Sequence, residues 1–358
     1  MTDNLGPSGA QGWHRGDILR LLALATLCEG HGQITCPPAR TNGTLGLAGS
    51  CEAYECFWFT QPTIIPGAPT LNRSEHRTFN IDVASGETDW SRRMPWRAPG
   101  AAPVLGSGCG VAGGSPLTNM SGNGGNPPPG IAQGADGLAA LAPKPPTAWK
   151  RGAAVEVAWA MMANHGGGYS WRLCPNGPGA TVDEACFQTH PLSFAGDRQW
   201  IRYGDVWQWG TNRRLPDLEI PLVRVTQGTT PPGSEWARNP IPACRFCDAS
   251  EHAACAAADL SWDQQQHCSQ ACSGFNVTFG CPAGMTQFAE IGGGLSGFYP
   301  RAKCSSSSPN GLTGFGFSVV DKVLVPAELA PGPYLLSWRW DAEQSKQVWQ
   351  NCADVYLE

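Results

Sequence analysis

No apolar run in the 358-residue chain reaches membrane-spanning length, which excludes a helix crossing the bilayer. Charge is also scarce, at 15% of residues with a net of -5 and both signs dispersed, so there is no basic groove for nucleic acid. The 45 glycines and 31 prolines follow no period, which excludes collagen and simple low-complexity repeats. No convincing pair of carboxylates offers the acid and base of a glycoside hydrolase. CRFC at 244–247 invites a zinc or redox reading, but no second CxxC stands at a zinc-site spacing, so structural disulfides are the better expectation.

What is abundant is cysteine, fifteen in all, and glycine and proline between short apolar segments. That punctuation argues for strands joined by long loops. AVEVAWAM at 154–161, LEIPLVRVT at 218–226, FGFSVVDKVLV at 315–325, PYLLSWRWDAEQ and VWQNCADVYL alternate as strands do, and TFNIDV within 71–84 closes the same way. Together they predict an antiparallel β-sandwich of about seven to nine strands. Residues 98–146, with Cys109 as their one anchor, read as an extended tethered loop. Residues 231–310, cysteine-rich and poor in apolar runs, read as an insertion held by disulfides. The predicted organisation is therefore a leader over 1–30, the main sandwich core over 31–230, the insertion over 231–310, and closing strands over 311–358.

The leader carries Arg15 and Arg20, an apolar run from Leu21 to Leu27, and the small residues Cys28 and Gly30 before a cleavage point. This pattern predicts a secretory signal peptide. Its removal discards Cys28 and leaves an even number of cysteines, which predicts a fully paired, extracellular protein. Sequons at Asn42, Asn72, Asn119 and Asn276 fit a secreted glycoprotein.

Cleavage after Gly30 makes His31 the first residue, with an α-amine and an imidazole on one residue. A second histidine would complete a three-nitrogen set of the kind that suits copper. His165 is the best partner, because it follows the strand AVEVAWAM and precedes three glycines that let the backbone turn. His76, His190, His252 and His267 lie in less favourable contexts, and His14 leaves with the leader.

The start HGQITCPPAR, with His31, Gly32, Ile34, Pro37 and Arg40, the internal ANHGGGYSWRLC and the terminal VWQNCADVYLE resemble the lytic polysaccharide monooxygenases, in the group that includes the type-4 chitin-binding proteins. The resemblance covers roughly 31–230 and 311–358. It implies an all-β, immunoglobulin-like or fibronectin-III-like sandwich and a copper histidine brace in which His31 and His165 are the ligands. It further implies that Gln347 sits beside the metal and that Trp349 occupies the axial face, where relatives carry Tyr or Phe, with Tyr356 as the fallback. Tyr54, Trp58, Tyr169 and Trp171 are candidate sugar-binding residues, with core packing the competing reading. For Trp338 and Trp340, packing is the stronger one.

The activity implied is copper-dependent oxidative cleavage of a β-linked polysaccharide such as chitin or cellulose at C1 and/or C4. Its partners would be an external electron donor with dioxygen or hydrogen peroxide, and the chain would act as a monomer, with no nucleic acid and no membrane. The alternatives are a secreted polysaccharide-binding or copper-binding protein of the same fold without turnover, and a structural glycoprotein whose histidines never meet.

Overall fold

The computed structural model describes residues 31–41, 57–60, 95–116, 127–128, 130–163, 165–203, 216–240, 287, 317–343 and 346–358. The leader, Tyr54, the four sequons, His76, His252, His267, TFNIDV and the cysteines from 244 to 304 lie outside them.

Two antiparallel sheets form the immunoglobulin-like sandwich. The smaller joins β1 (His31–Cys36), β4 (Ala154–Ala163), β10 (Phe317–Leu324), β6 (Arg198–Tyr203) and β7 (Leu218–Pro221), in that order. The larger runs β2 (Trp58–Thr60), β12 (Gln347–Leu357), β11 (Gly332–Asp341), β5 (Gly168–Pro175), β9 (Trp236–Arg238) and β8 (Arg224–Val225), with β3 (Thr147–Trp149) beside β12 in parallel. The excess over the expected strand number comes from short pieces such as β2, β3, β8 and β9. Pairing of β9 with β5 and β8 carries the sandwich through Arg238, inside the span read as insertion.

Alternation selects the core. Val157, Trp159 and Met161 of β4 meet Tyr169, Trp171 and Leu173 of β5 and Leu336, Trp338 and Trp340 of β11 in one buried cluster. Fully burying side chains of this size is worth about 1.5–3 kcal/mol each, so this aromatic layer is the main adhesive between the sheets.

The opposite face of β11 and β12 is also covered. Cys109 pairs with Cys352, Ser337 Oγ donates to Gly108 O at 2.9 Å, and Phe59, Ala102 and Val348 form a small apolar cluster. Within the span read as a tethered loop over 98–146, residues 102–109 are thus laid across the sheet. A helix, α1 (Glu184–Thr189), supports it from the side, capped by Asp183, which accepts from Cys186 N at 2.7 Å. The second disulfide, Cys174–Cys186, fixes α1 to β5. Such crosslinks fit an oxidising compartment. Cys36 has no disulfide partner among the described residues, so complete pairing is not seen within them.

Under the loop lies a buried ionic network. Arg339 donates to both Asp341 oxygens at 2.7 and 3.1 Å and to Glu184 Oε1 at 2.8 Å, and Arg172 donates to the same Glu184 oxygen. Burial alone would raise the Glu184 carboxyl, but the two guanidiniums outweigh it and hold it at about 2.

The first and last motifs of the sandwich meet. Arg40 grips Asp354 with two hydrogen bonds at 2.9 and 2.6 Å, its backbone N–H donates to Cys352 O at 2.9 Å, and Ile34 N donates to Asn351 Oδ1 at 3.1 Å. Among the described residues no helix is long and apolar enough to cross a membrane.

Candidate metal centre

Strand register sets the geometry. β1 runs antiparallel to β4 with His31 opposite Ala163 and an irregularity between His31 and Gly32. The backbone of residue 31 therefore reaches the end of β4 two residues before His165. The side chain of His31 lies outside the described atoms.

His165 sits in the turn between β4 and β5 and is buried. Its carbonyl accepts from Glu343 N at 3.0 Å. The next carbonyl, Gly166 O, accepts from Trp340 Nε1 at 2.7 Å and from Asn239 Nδ2 at 3.3 Å. Gly167 O accepts from Asn239 N at 2.8 Å, and Gly167 N donates to Glu343 Oε2 at 3.2 Å. Two separate segments, the end of β11 with Glu343 and the residue after β9, thus hold the turn.

The glycines are required by that fit. Gly166 and Gly167 have φ of 60° and 74°, a region costly to residues with a Cβ. A Cβ on Gly167 would lie 2.1 Å from Asp341 O, and one on Gly168 would lie 2.3 Å from Trp96 Cη2. Gly32 has a different reason, since its Cβ would lie 2.7 Å from Trp338 Cη2 and 3.1 Å from Trp340 Cε3. The glycine of HG is therefore set by Trp338 and Trp340, and those of HGGG by left-handed backbone, the Asp341 carbonyl and Trp96.

Gln347 and Trp349 share a strand face as their spacing predicts, and Trp349 Nε1 donates to Gln347 Oε1 at 3.1 Å. Trp349 is buried, stacked on Trp58 at 5.4 Å and tilted against Trp340 at 6.4 Å. The ring described against His165 is Trp340, with centroids 6.4 Å apart. Tyr356 is 43% exposed and lies opposite Pro333, about 23 Å along β12 from Trp349 at the usual rise. That distance removes the fallback.

Burial corrects three sugar-binding expectations. Tyr169, Trp171 and Trp58 are each 0% exposed, so none offers a ring face to a polysaccharide. Tyr169 OH lies 3.1 Å from both Gln199 Oε1 and Asp321 Oδ1, and Trp171 Nε1 donates to Asp321 Oδ2 at 3.0 Å. These rings are spent on the core. The overlooked signal is the alternation Tyr169, Trp171, Leu173, which puts both rings on the face of a core leucine.

Trp340, expected only to pack, also holds the His165 turn, together with Glu343 and Asn239, which the sequence reading missed. Asn239 and Glu343 had no local pattern to reveal them, because both act from outside the motif. Arg238, opposite Gly168, adds buried positive charge here. Burial pulls its guanidinium down to about 10, while Glu343 holds it up.

Among the described residues no group of three or more His, Cys, Asp and Glu side chains forms a metal site. A set made of two imidazoles and an amine does not need such a group. Its donors would be the neutral nitrogens that copper favours, and the register of β1 on β4 brings the backbone of residue 31 to the end of β4 from which the His165 turn leaves.

No protein-family model matches the chain, and no curated protein matches it. Among solved structures it is similar to a lytic polysaccharide monooxygenase AA15 from Thermobia domestica in the Cu(I) state, with 11% identity over 59% of this chain and a TM-score of 0.25. The chain spans 62% of that protein's length. It is also similar to a chitin-binding domain from Burkholderia pseudomallei, with 9% identity over 92% of this chain and all of that one, at a TM-score of 0.33. At scores this low neither likeness bears on function.

Proposed function

We propose that the chain, once residues 1–30 are removed, is a secreted copper-dependent polysaccharide monooxygenase that cleaves a β-linked polysaccharide oxidatively at C1 and/or C4. The observation that supports this reading is the pairing of His31 with Ala163, which brings the backbone of residue 31 to the strand end that leads into the His165 turn. In this reading the His31 amine and the imidazoles of His31 and His165 hold the metal. Copper would supply the one-electron chemistry with dioxygen or peroxide that breaks a glycosidic C–H bond.

The protein's part is to preorganise. The hydrogen bonds from Trp340, Glu343 and Asn239 fix the His165 turn before metal arrives, which limits the entropy lost on binding. Gln347, fixed by Trp349, would orient a reacting oxygen species beside the metal, and the apolar wall of Trp340 and Trp349 would exclude water from one side.

Copper titration followed by electron paramagnetic resonance tests the site. One tightly bound copper with three nitrogen donors is expected in a chain beginning at His31. His165→Ala should abolish that signal, and so should extra residues before His31, which consume the free amine. Unchanged affinity in either variant refutes the ligand set. Oxidised oligosaccharides from chitin or cellulose then establish turnover. Tight copper without products would favour the second reading, a copper-binding protein, which the burial of Tyr169, Trp171 and Trp58 supports.

A further inference from the structure

Asp321 lies on β10 at 1% exposure, and its carboxyl reaches across to the other sheet. From β5, Trp171 Nε1 donates to its Oδ2 at 3.0 Å, and Tyr169 OH lies 3.1 Å from its Oδ1. Gln199 of β6, also fully buried, brings Oε1 to 3.1 Å from the same hydroxyl. The Gln199 amide is held this way round by Nε2, which donates to Pro221 O at 3.1 Å. Turning it over would set Oε1 against that carbonyl, acceptor against acceptor.

The hydrogens at this junction can be counted. The Tyr169 hydroxyl has one proton and faces two oxygens, Gln199 Oε1 and Asp321 Oδ1. With Asp321 ionised, one of those oxygens would meet the hydroxyl with no proton between them, in a core closed to water. The Trp159 indole beside Tyr169 carries only a donor, so it relieves neither acceptor. With one proton on Asp321 every group is matched. Asp321 then donates to the Tyr169 oxygen, Tyr169 donates to Gln199 Oε1, Gln199 donates to Pro221 O, and Trp171 donates to the other Asp321 oxygen.

We propose that Asp321 is a neutral carboxylic acid in the folded protein and acts as a proton-operated clasp between the sheets, its O–H completing the chain that ties β10 and β6 to β5. When the proton leaves to solvent base, Tyr169 turns its own proton to the carboxylate, Gln199 Oε1 loses its donor, and a charge is left in the core. The sandwich is therefore held most firmly in acidic surroundings and is loosened in alkaline ones. No metal takes part, so the copper reading and this one stand or fall separately.

The surroundings suit a neutral acid. Among the described residues Tyr169 is the one titratable group bonded to Asp321, and burial pushes its phenol well above the ordinary range, so it stays protonated throughout. No cation is paired with Asp321 among those residues. Val157 is its neighbour across β4, and Lys322, next along β10, lies over Trp200 at 5.0 Å, opposite Glu156. Burial lifts the Asp321 carboxyl to about 7, although Trp171 and Tyr169 lower it through their hydrogen bonds.

Infrared spectroscopy of the full chain in deuterium oxide tests the proton directly. At about pH 6, where exposed carboxyls are ionised, a carboxylic-acid C=O stretch is expected that fades with a midpoint of about 7 and is missing from Asp321→Asn. No such band in the wild type, or a band that survives Asp321→Asn, overturns the proposal. Gln199→Met separates the proton chain from burial alone. With the competing acceptor gone, Tyr169 can donate to the carboxylate, so the midpoint should move to lower pH. Burial alone would hold or raise it, and an unchanged or higher midpoint overturns the chain. Asn at 321 can donate to Tyr169 and accept from Trp171 as the acid does, so Asp321→Asn should fold. Its melting temperature should gain on the wild type as pH rises from 3.8 to about 7 and then keep a constant lead. A lead that does not widen over that range also overturns the proposal.

Discussion

The two faces of β11 and β12 are equally buried and chemically opposite. Leu336, Trp338, Trp340 and Trp349 face the other sheet with rings and methyls, while Ser337, Arg339, Asp341 and Gln350, one residue removed, face the loop with hydrogen bonds and charge. The inner face gains from any apolar group of the right volume. The outer face depends on every partner being present, because a buried charge left alone is costly.

The largest expected effect tests that dependence. Asp341→Ala leaves the fully buried Arg339 with only Glu184 and the Ala102 carbonyl and removes the acceptor of Gly100 N, so a loss on the order of 3–5 kcal/mol is expected in urea denaturation. Trp338→Phe, on the inner face of the same strand, should cost under about 2 kcal/mol, because the Trp338 indole N–H has no hydrogen-bond partner in the described structure. Similar costs for the two would erase the contrast between the faces.

Next in size is Gly32→Ala. The added methyl meets Trp338 at 2.7 Å, and a loss of about 1–3 kcal/mol is expected from forcing the ring aside. Pairing it with Trp338→Phe should recover part of the loss, since the two positions share one contact. Additive costs would show that the clash is relieved elsewhere.

The faces should also respond to pH with opposite sign. Glu184 is held at about 2 against an ordinary 4.5, so its stabilisation is present above 4.5 and is lost as pH falls toward 2. Asp321 is raised from 3.8 to about 7, so stability from its neutral form is present below 3.8 and is lost as pH rises through 7. Melting temperature should therefore be highest in mildly acidic solution. Glu184→Gln should flatten the acid limb and Asp321→Asn the neutral one. Trp171→Phe removes one hydrogen bond to Asp321 and should lower stability by about 1 kcal/mol, more above pH 7 than below it.

Much of this was legible in the residues. Alternation located β4, β10, β11 and β12, and the parity of Trp338 and Trp340 placed both in the core. Arg40 and Asp354 belonged to motifs singled out separately, and their contact explains why both motifs occur. Sequence could not say whether the polar side of a strand is wet or roofed, because Arg339 looks the same in either setting. That depends on where the loop around Cys109 lies, which is fixed by a residue far away in the chain. The His165 turn was visible through its glycines. Its supports at Asn239 and Glu343 were not, since they belong to other strands' ends.

Cys109 reaches Cys352 across 243 positions, and Arg40 reaches Asp354 across 314. The strand that receives both, β12, lies between β2 and β11 in the larger sheet, yet it follows all its partners along the chain. Its docking is dominated by distant contacts, which form slowly. Until it docks, the edge of β11 that it covers is open to aggregation, so the order of the strands along the chain sets when the protein is most vulnerable.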